Sequence, residues 1–240
     1  MKYAITLFFA SLCVAAGAET NPADTLSRVH IFGASGDVIL RMVMQIESDR
    51  GTKRRELEVF VRREEGRTMI SAGIVSPPFL SNIKFLYHRD ANGVESKWIR
   101  TSLGMRELGG EESTFRLFDS DFTARDLIDF DPDEYHLRKI PDAQTGNDSI
   151  EAIPVAGQQG HSRIVFHLTK HTSILQAIDY YDASMLTKQF RVLRTESIQG
   201  ATFVIESVMD DLASAGHTLL EVTSVKVETI PDETFSPDSF

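Results

Sequence analysis

The chain has 240 residues and a formal charge of −10, with 25 lysines and arginines against 35 aspartates and glutamates, and a single cysteine. Such an acid excess repels phosphate backbones and anionic headgroups, which excludes nucleic acid as a partner. Lone Cys13 excludes structural disulfides and cysteine-built metal sites.

The opening stretch MKYAITLFFASLCVAAGAET begins with one basic residue, Lys2, runs apolar and uncharged to Ala16, and reaches Ala16-Gly17-Ala18, the small-x-small pattern of a signal peptidase site. Residues 1–18 read as a cleaved secretory signal, since the apolar run is shorter than the ~20 residues a membrane-spanning helix needs. Leu12 stands before Cys13 where a bacterial lipoprotein signal has a small residue, so lipidation is not expected. With the leader gone the chain has no thiol, and thiol catalysis is excluded too. Residues 19–240 are expected to form one exported, soluble domain, and no second apolar run approaches membrane-spanning length.

In NPADTLSRV, Asn21 offers an N-cap, Pro22 the first helical position and Asp24 a first-turn carboxylate, which predicts a short helix. The next stretch, HIFGASGDVIL, has the look of a strand running into a phosphate loop. A dinucleotide site needs a helix after its glycines. Here Val38, Leu40, Met42, Met44 and Ile46 instead occupy every second position, the period of a strand. The turn DRG at Asp49–Gly51 then leads into Leu57, Val59 and Val61, so a hairpin is predicted and the glycines become a turn at its mouth.

The alternation continues. Ile83, Phe85 and Tyr87 precede the turn RDANG, and Trp98 and Ile99 lie on the return strand. SDFTARDLIDF offers Ser120 as a cap, with Phe122, Leu127 and Ile128 as an apolar stripe. Two loops flanking a short strand are expected between Asp142 and Gly160. Ile164, Phe166 and Leu168 alternate, Ile178 and Tyr180 lead into YYDAS, and Phe190, Phe203, Ile205, Leu220 and Val222 continue the series. Long strands joined by short polar turns predict a meandering antiparallel sheet large enough to curl. The tail PDETFSPDSF is expected to pack along the sheet edge.

Other apparent motifs carry less. His167 and His171 are four apart but fall on and beyond a strand, with no acidic third ligand nearby in sequence, so no metal site is expected. SNIK, Ser81–Lys84, has an SxxK spacing without the SDN or KTG elements that make it catalytic. Glu64-Glu65 and Glu111-Glu112 read as solvated turns. Arg54-Arg55 and Arg62-Arg63 form a local basic patch, either a solvated hairpin surface or a contact for an acidic partner.

The segment DSDFTARDL, Asp119 to Leu127, resembles the motif of exported bacterial proteins of outer-membrane lipoprotein sorting, in the LolA/LolB-like superfamily. The layout around it is similar: VMQIESDRG and Trp98 before the motif, DYYDASMLTKQF after it, and DDLASAGHTLLEV and DETFSPDSF at the close. SPPFLSNIKFL keeps the family's prolines without its Gly-Thr, and TSLGMREL replaces a Pro-bearing strand. The resemblance implies a mainly β (α+β) fold, a strongly curved antiparallel sheet forming an unclosed β-barrel, with a few short covering helices over an apolar cavity.

It further implies a non-enzymatic, monomeric periplasmic carrier for a lipid or an acylated lipoprotein, with an RND-type inner-membrane transporter as a possible partner and no cofactor or metal. Candidate cavity walls are Met42, Met44, Phe85, Trp98, Phe166 and Tyr180, with Phe122 and Leu127 on a cover. The family motif supplies Asp119, Ser120, Asp121, Phe122, Asp126 and Leu127. That segment reads either as a mobile cover or as a structural corner fixing sheet curvature, its aspartates capping helix ends or pairing with Arg116 and Arg125. Two other classes stand beside the carrier: a module of the same fold that docks on a transporter or signalling protein, and an exported hydrolase using scattered Ser, His and Asp residues.

Overall fold

The computed structural model describes residues 21–32, 36–49, 51–64, 66–109, 115–128, 130–141, 148–155, 160–170 and 172–239, the Leu127 side chain excepted. The leader, Gly33, Glu65, Glu111, Glu112 and His171 lie outside the described residues.

Strand β1 spans Gly36–Ser48 and β2 spans Gly51–Glu64. On β1, Val38, Leu40, Met42, Met44 and Ile46 are all buried while Arg41, Gln45 and Glu47 are exposed, so the period of two in the sequence becomes one inner and one outer face. The hairpin registers Val38 opposite Val61 and Met42 opposite Leu57. No helix follows Gly36; with φ of +99° it serves as the flexible entry to the strand, and the phosphate-loop likeness ends there.

The meander continues through β3 (Arg67–Ser76), β4 (Lys84–Arg89), β5 (Glu95–Thr101) and β6 (Gly104–Glu107). A second meander runs through β7 (Tyr135–Pro141), β8 (Asp148–Pro154), β9 (Arg163–Leu168), β10 (Leu175–Asp182), β11 (Met185–Ile198), β12 (Ala201–Asp211) and β13 (Gly216–Lys226). Among the described residues these form one antiparallel sheet of 13 strands, ordered β6-β5-β4-β3-β2-β1-β13-β12-β11-β10-β9-β8-β7. The first and last strands pair along the centre, Met44 opposite Leu220, and β6 and β7 are the free edges. The result is the expected unclosed barrel. Irregularities at Arg41/Met42, Glu56/Leu57, Tyr180/Tyr181 and Val192/Arg194 increase the local twist that curls it. Phe85, Tyr87, Phe190 and Phe203 are fully buried members of the core.

The predicted N-terminal helix is α1, Pro22–Leu26, with the Asn21 side chain accepting the Ala23 N–H. The predicted strand between Asp142 and Gly160 is β8. Three expectations are corrected. The short helix near residue 124 is a 3-10 turn, Ala124–Leu127, capped by Thr123 and not by Ser120. Phe118 and Asp119 adopt left-handed φ of 57° and 61°, which reverses the chain just ahead of Ser120 and leaves that serine extended. The tail is not on the sheet edge. Its 3-10 turn, Asp232–Phe235, packs against β3 on the outer face, where Arg62 of β2 bonds Asp232 at 2.6 Å and lies 5.1 Å from the Phe235 ring centre. That arginine also pairs with Asp37 at 2.7 and 2.8 Å. The basic patch is therefore not a solvated surface: Arg55, Arg62 and Arg63 are buried, and only Arg54 is exposed.

Candidate functional site

On the inner side of the sheet lies a cavity of ≈ 470 Å³. Its wall comes from β9 and β10, where Ile164, Phe166, Ile178 and Tyr180 take successive inward positions in register. Phe130 packs on that wall edge-on to Phe166 at 4.7 Å and stacks on Tyr135 at 4.5 Å. Over it pass stretches with little sheet pairing, Val29–Ile31 after α1 and residues 116–128 and 130–134. A mostly apolar floor under a covering segment is the geometry of a site for a small amphiphile.

Ion pairs ring this floor. Lys188 and Asp126, with side chains 8% and 5% exposed, form a buried pair. The Lys188 ammonium also sits 5.6 Å from the Tyr180 ring centre. Burial, and next the Asp126 carboxylate, push the Tyr180 hydroxyl well above the usual phenol range. Arg125 pairs with Glu134 and donates to the Tyr135 hydroxyl at 3.1 Å. Lys97 donates to Glu95 at 2.6 Å, as does the Tyr87 hydroxyl at 2.8 Å. Burial is the largest influence on the Glu95 carboxyl and works to raise it, but the bonds from Lys97 and Tyr87 and the nearby Lys97 and Arg125 charges together outweigh it, leaving the group below its ordinary range.

Within the Asp119–Asp126 stretch, Asp121 makes the tie to β13. Asp121, 2% exposed at its side chain, accepts from Thr218 Oγ1 at 2.6 Å and from Arg116 at 3.2 Å, while its own N–H donates to Thr218 Oγ1 at 3.0 Å. Arg116 continues to Asp211 and to Ser214 at 2.8 Å. Gly216 is what lets the carboxylate in: a Cβ there would lie 2.8 Å from Asp121 Cγ and 3.0 Å from its Oδ2. Ser120 ties the corner by donating to the Leu117 carbonyl at 2.7 Å and accepting the Phe122 N–H at 3.1 Å. Asp126 closes a capping box by accepting from the Thr123 N–H at 2.6 Å.

Of the residues singled out from sequence, Phe166, Tyr180, Asp121 and Asp126 are brought together around the cavity. Phe122 is fully buried behind it, edge-on to Phe190 at 6.2 Å. Met42, Met44 and Phe85 lie in the core of the other half-sheet and do not line the cavity. Trp98 stands apart, on the outer face, with its ring 5.1 Å from that of His88. Strand parity requires this, since Ile99 takes the inward place opposite Phe85. Asp119 is 67% exposed and reaches Lys53 at 3.3 Å and Arg55 at 3.7 Å. Leu127 ends its 3-10 turn, and its side chain lies outside the described residues. Arg116 pairs with Asp121 as anticipated, but Asp126 takes Lys188, and Arg125 takes Glu134.

Lys188 was hidden in sequence; its one signal is an inward register position two before Phe190, a lone cation on an apolar face. Also unforeseen is a chain of side chains across the outer face of β8–β11. Ser149 Oγ lies 3.0 Å from His167 Nδ1, His167 Nε2 lies 3.0 Å from Asp179 Oδ2, and Gln189 donates to Asp179 Oδ1 at 2.6 Å. The three residue types are those of a hydrolase triad, yet Ser149 is 2% exposed and faces away from the cavity, so its hydroxyl has no room for an acyl substrate. Among the described residues, no group of three His, Cys, Asp or Glu side chains is placed to hold a metal, and no helix is long and apolar enough to cross a membrane.

A family model described as "Uncharacterized protein" matches residues 73–240. No curated protein matches the chain. Among solved structures, a domain from Vibrio parahaemolyticus named for outer membrane lipoprotein sorting superposes with a TM-score of 0.80 at 17% identity, covering 90% of this chain and 94% of that one. A DUF1329 family protein from Desulfovibrio piger gives 0.77 at 20% identity, over 86% and 92% of the two chains. A LolA superfamily protein from Nitrosomonas europaea gives 0.70 at 14% identity, over 91% and 97%.

Proposed function

On the premise that this chain belongs to the family whose model spans residues 73–240, and has the LolA-type fold of outer-membrane lipoprotein-sorting proteins, we propose that it is a carrier of acyl chains. In this reading residues 1–18 are removed on export, residues 19–240 work as one monomeric domain in the periplasm, and a lipid or an acylated lipoprotein is handed between membrane machines. An RND-type inner-membrane transporter is the partner proposed for one end of that transfer.

The observation that carries the reading is the cavity of ≈ 470 Å³ walled by Ile164, Phe166, Ile178 and Phe130 inside an open barrel. Each methylene moved from water onto such a floor gains about 0.8 kcal/mol, so one chain of moderate length is held firmly and still reversibly. No catalytic role is assigned to any residue.

Native mass spectrometry of the protein recovered from its periplasm, followed by organic extraction, tests the proposal. An acylated species at near-unit occupancy is the expected result. An empty protein that also fails to take up monododecanoylglycerol would overturn it, and would favour a module that docks on a transporter without cargo.

A further inference from the structure

We propose that the cavity selects acyl amphiphiles whose polar end is neutral or cationic and rejects those whose polar end is anionic. The inference rests on the carrier reading and names the class of its cargo.

Among the described residues, every lysine and arginine that lines the cavity is already bonded to a carboxylate. Lys97 is held by Glu95, Arg125 by Glu134 and Lys188 by Asp126. Arg116 is shared between two carboxylates, Asp121 and Asp211. A carboxylate or phosphate entering the site therefore finds, among the described residues, no guanidinium or ammonium on the walls without a carboxylate partner. Breaking a pair to obtain one would strand its partner; for Lys188 that partner is the Asp126 carboxylate, 5% exposed, and such an uncompensated charge is expensive.

The surplus runs the other way. One guanidinium does not neutralise both Asp121 and Asp211, and Asp182 meets the imidazole of His161 at 3.1 Å but no lysine or arginine within 4 Å among the described residues. Register puts these groups at one end of the site: Asp182 closes the β10–β11 hairpin, Asp211 closes the β12–β13 hairpin, and Asp211 lies directly opposite Lys188. An acyl chain laid on the Phe166–Ile178 floor brings its polar end to this rim. A cation there is attracted by the unneutralised carboxylates and an anion is repelled.

The test compares three amphiphiles of equal chain length, dodecylammonium, monododecanoylglycerol and dodecanoate, titrated calorimetrically into the full mature protein below their micelle concentrations at pH 7.5. Dodecylammonium is expected to bind at least about tenfold more tightly than dodecanoate at low salt, with the glycerol ester between them and the ratio shrinking as salt is raised. Asp182→Asn should narrow the ratio. Dodecanoate binding as tightly as dodecylammonium, or a ratio that salt leaves unmoved, would overturn the selectivity. If none of the three binds, the carrier reading itself is what fails.

Discussion

Gly216→Ala should be among the most damaging single-methyl changes available in this protein, for a reason located on another segment of the chain. The added Cβ would occupy the space of the Asp121 carboxylate, 2.8 Å from its Cγ. Evicting that carboxylate breaks the bonds from Thr218 at 2.6 Å and from Arg116 at 3.2 Å. Hydrogen bonds to a charged group are worth about 1.5–3 kcal/mol each, and the geometry of the Arg116 bond is long, so a loss of about 3 kcal/mol is expected. Asp121→Ala removes the same two bonds directly and should cost about the same. If the methyl acts by expelling the carboxylate, the double variant costs about 3 kcal/mol and not about 6, because the clash has already been removed. The assay is urea unfolding followed by fluorescence of the single tryptophan, Trp98, with the slope checked for constancy across the four proteins. Additivity of the two changes to within about 0.5 kcal/mol would refute the reasoning.

Lys188→Met should destabilise by about 3–5 kcal/mol, since it leaves Asp126 charged and buried, and adding Asp126→Asn should recover much of the loss; equal stability of the single and double variants in thermal unfolding would count against this. Asp37 accepts two bonds from Arg62 and the Ile230 N–H at 2.7 Å, and the Arg62 bond, against the opposing effect of burial, holds its carboxyl below the ordinary range. The folded carboxylate thus takes up its proton later than the unfolded one, so its contribution is complete above about pH 4 and lost as the pH falls below that. Asp37→Asn should lower stability at pH 7 and flatten its decline as the pH falls below about 4, and an unchanged acid limb would show that Asp37 is not a source of it.

Periodicity carried most of the fold. Val38 through Ile46 alternate so regularly that the strand, its inner face and the hairpin behind it follow from the period alone. What periodicity left open is which half of the barrel is filled and which is hollow. Met42, Met44 and Phe85 alternate in the same way as Phe166 and Tyr180, yet the first three are packed core and the last two line the cavity. Trp98 shows a limit of composition: a large aromatic suggests a ligand wall, and parity with Ile99 sends it outward. The Thr123 cap was masked by Ser120, because two left-handed residues ahead of that serine are invisible in a sequence without glycine there. Arg62 looked like half of a solvated pair and is instead the clasp of the tail, since its partners Asp37 and Asp232 are 25 and 170 positions away.

The pairing of β1 with β13 also sets a timetable. Within each meander, neighbouring strands are joined by short connections, and those hairpins close cheaply as soon as they are made. The seam that unites the two meanders sets Ile39 against Lys226, so it waits until nearly the whole chain has been delivered. Until then β1 presents an unpaired edge rich in valine, isoleucine and methionine, a template for the wrong partner. A chain emerging from its first residue onward thus completes its barrel in the middle, with the last long strand it receives.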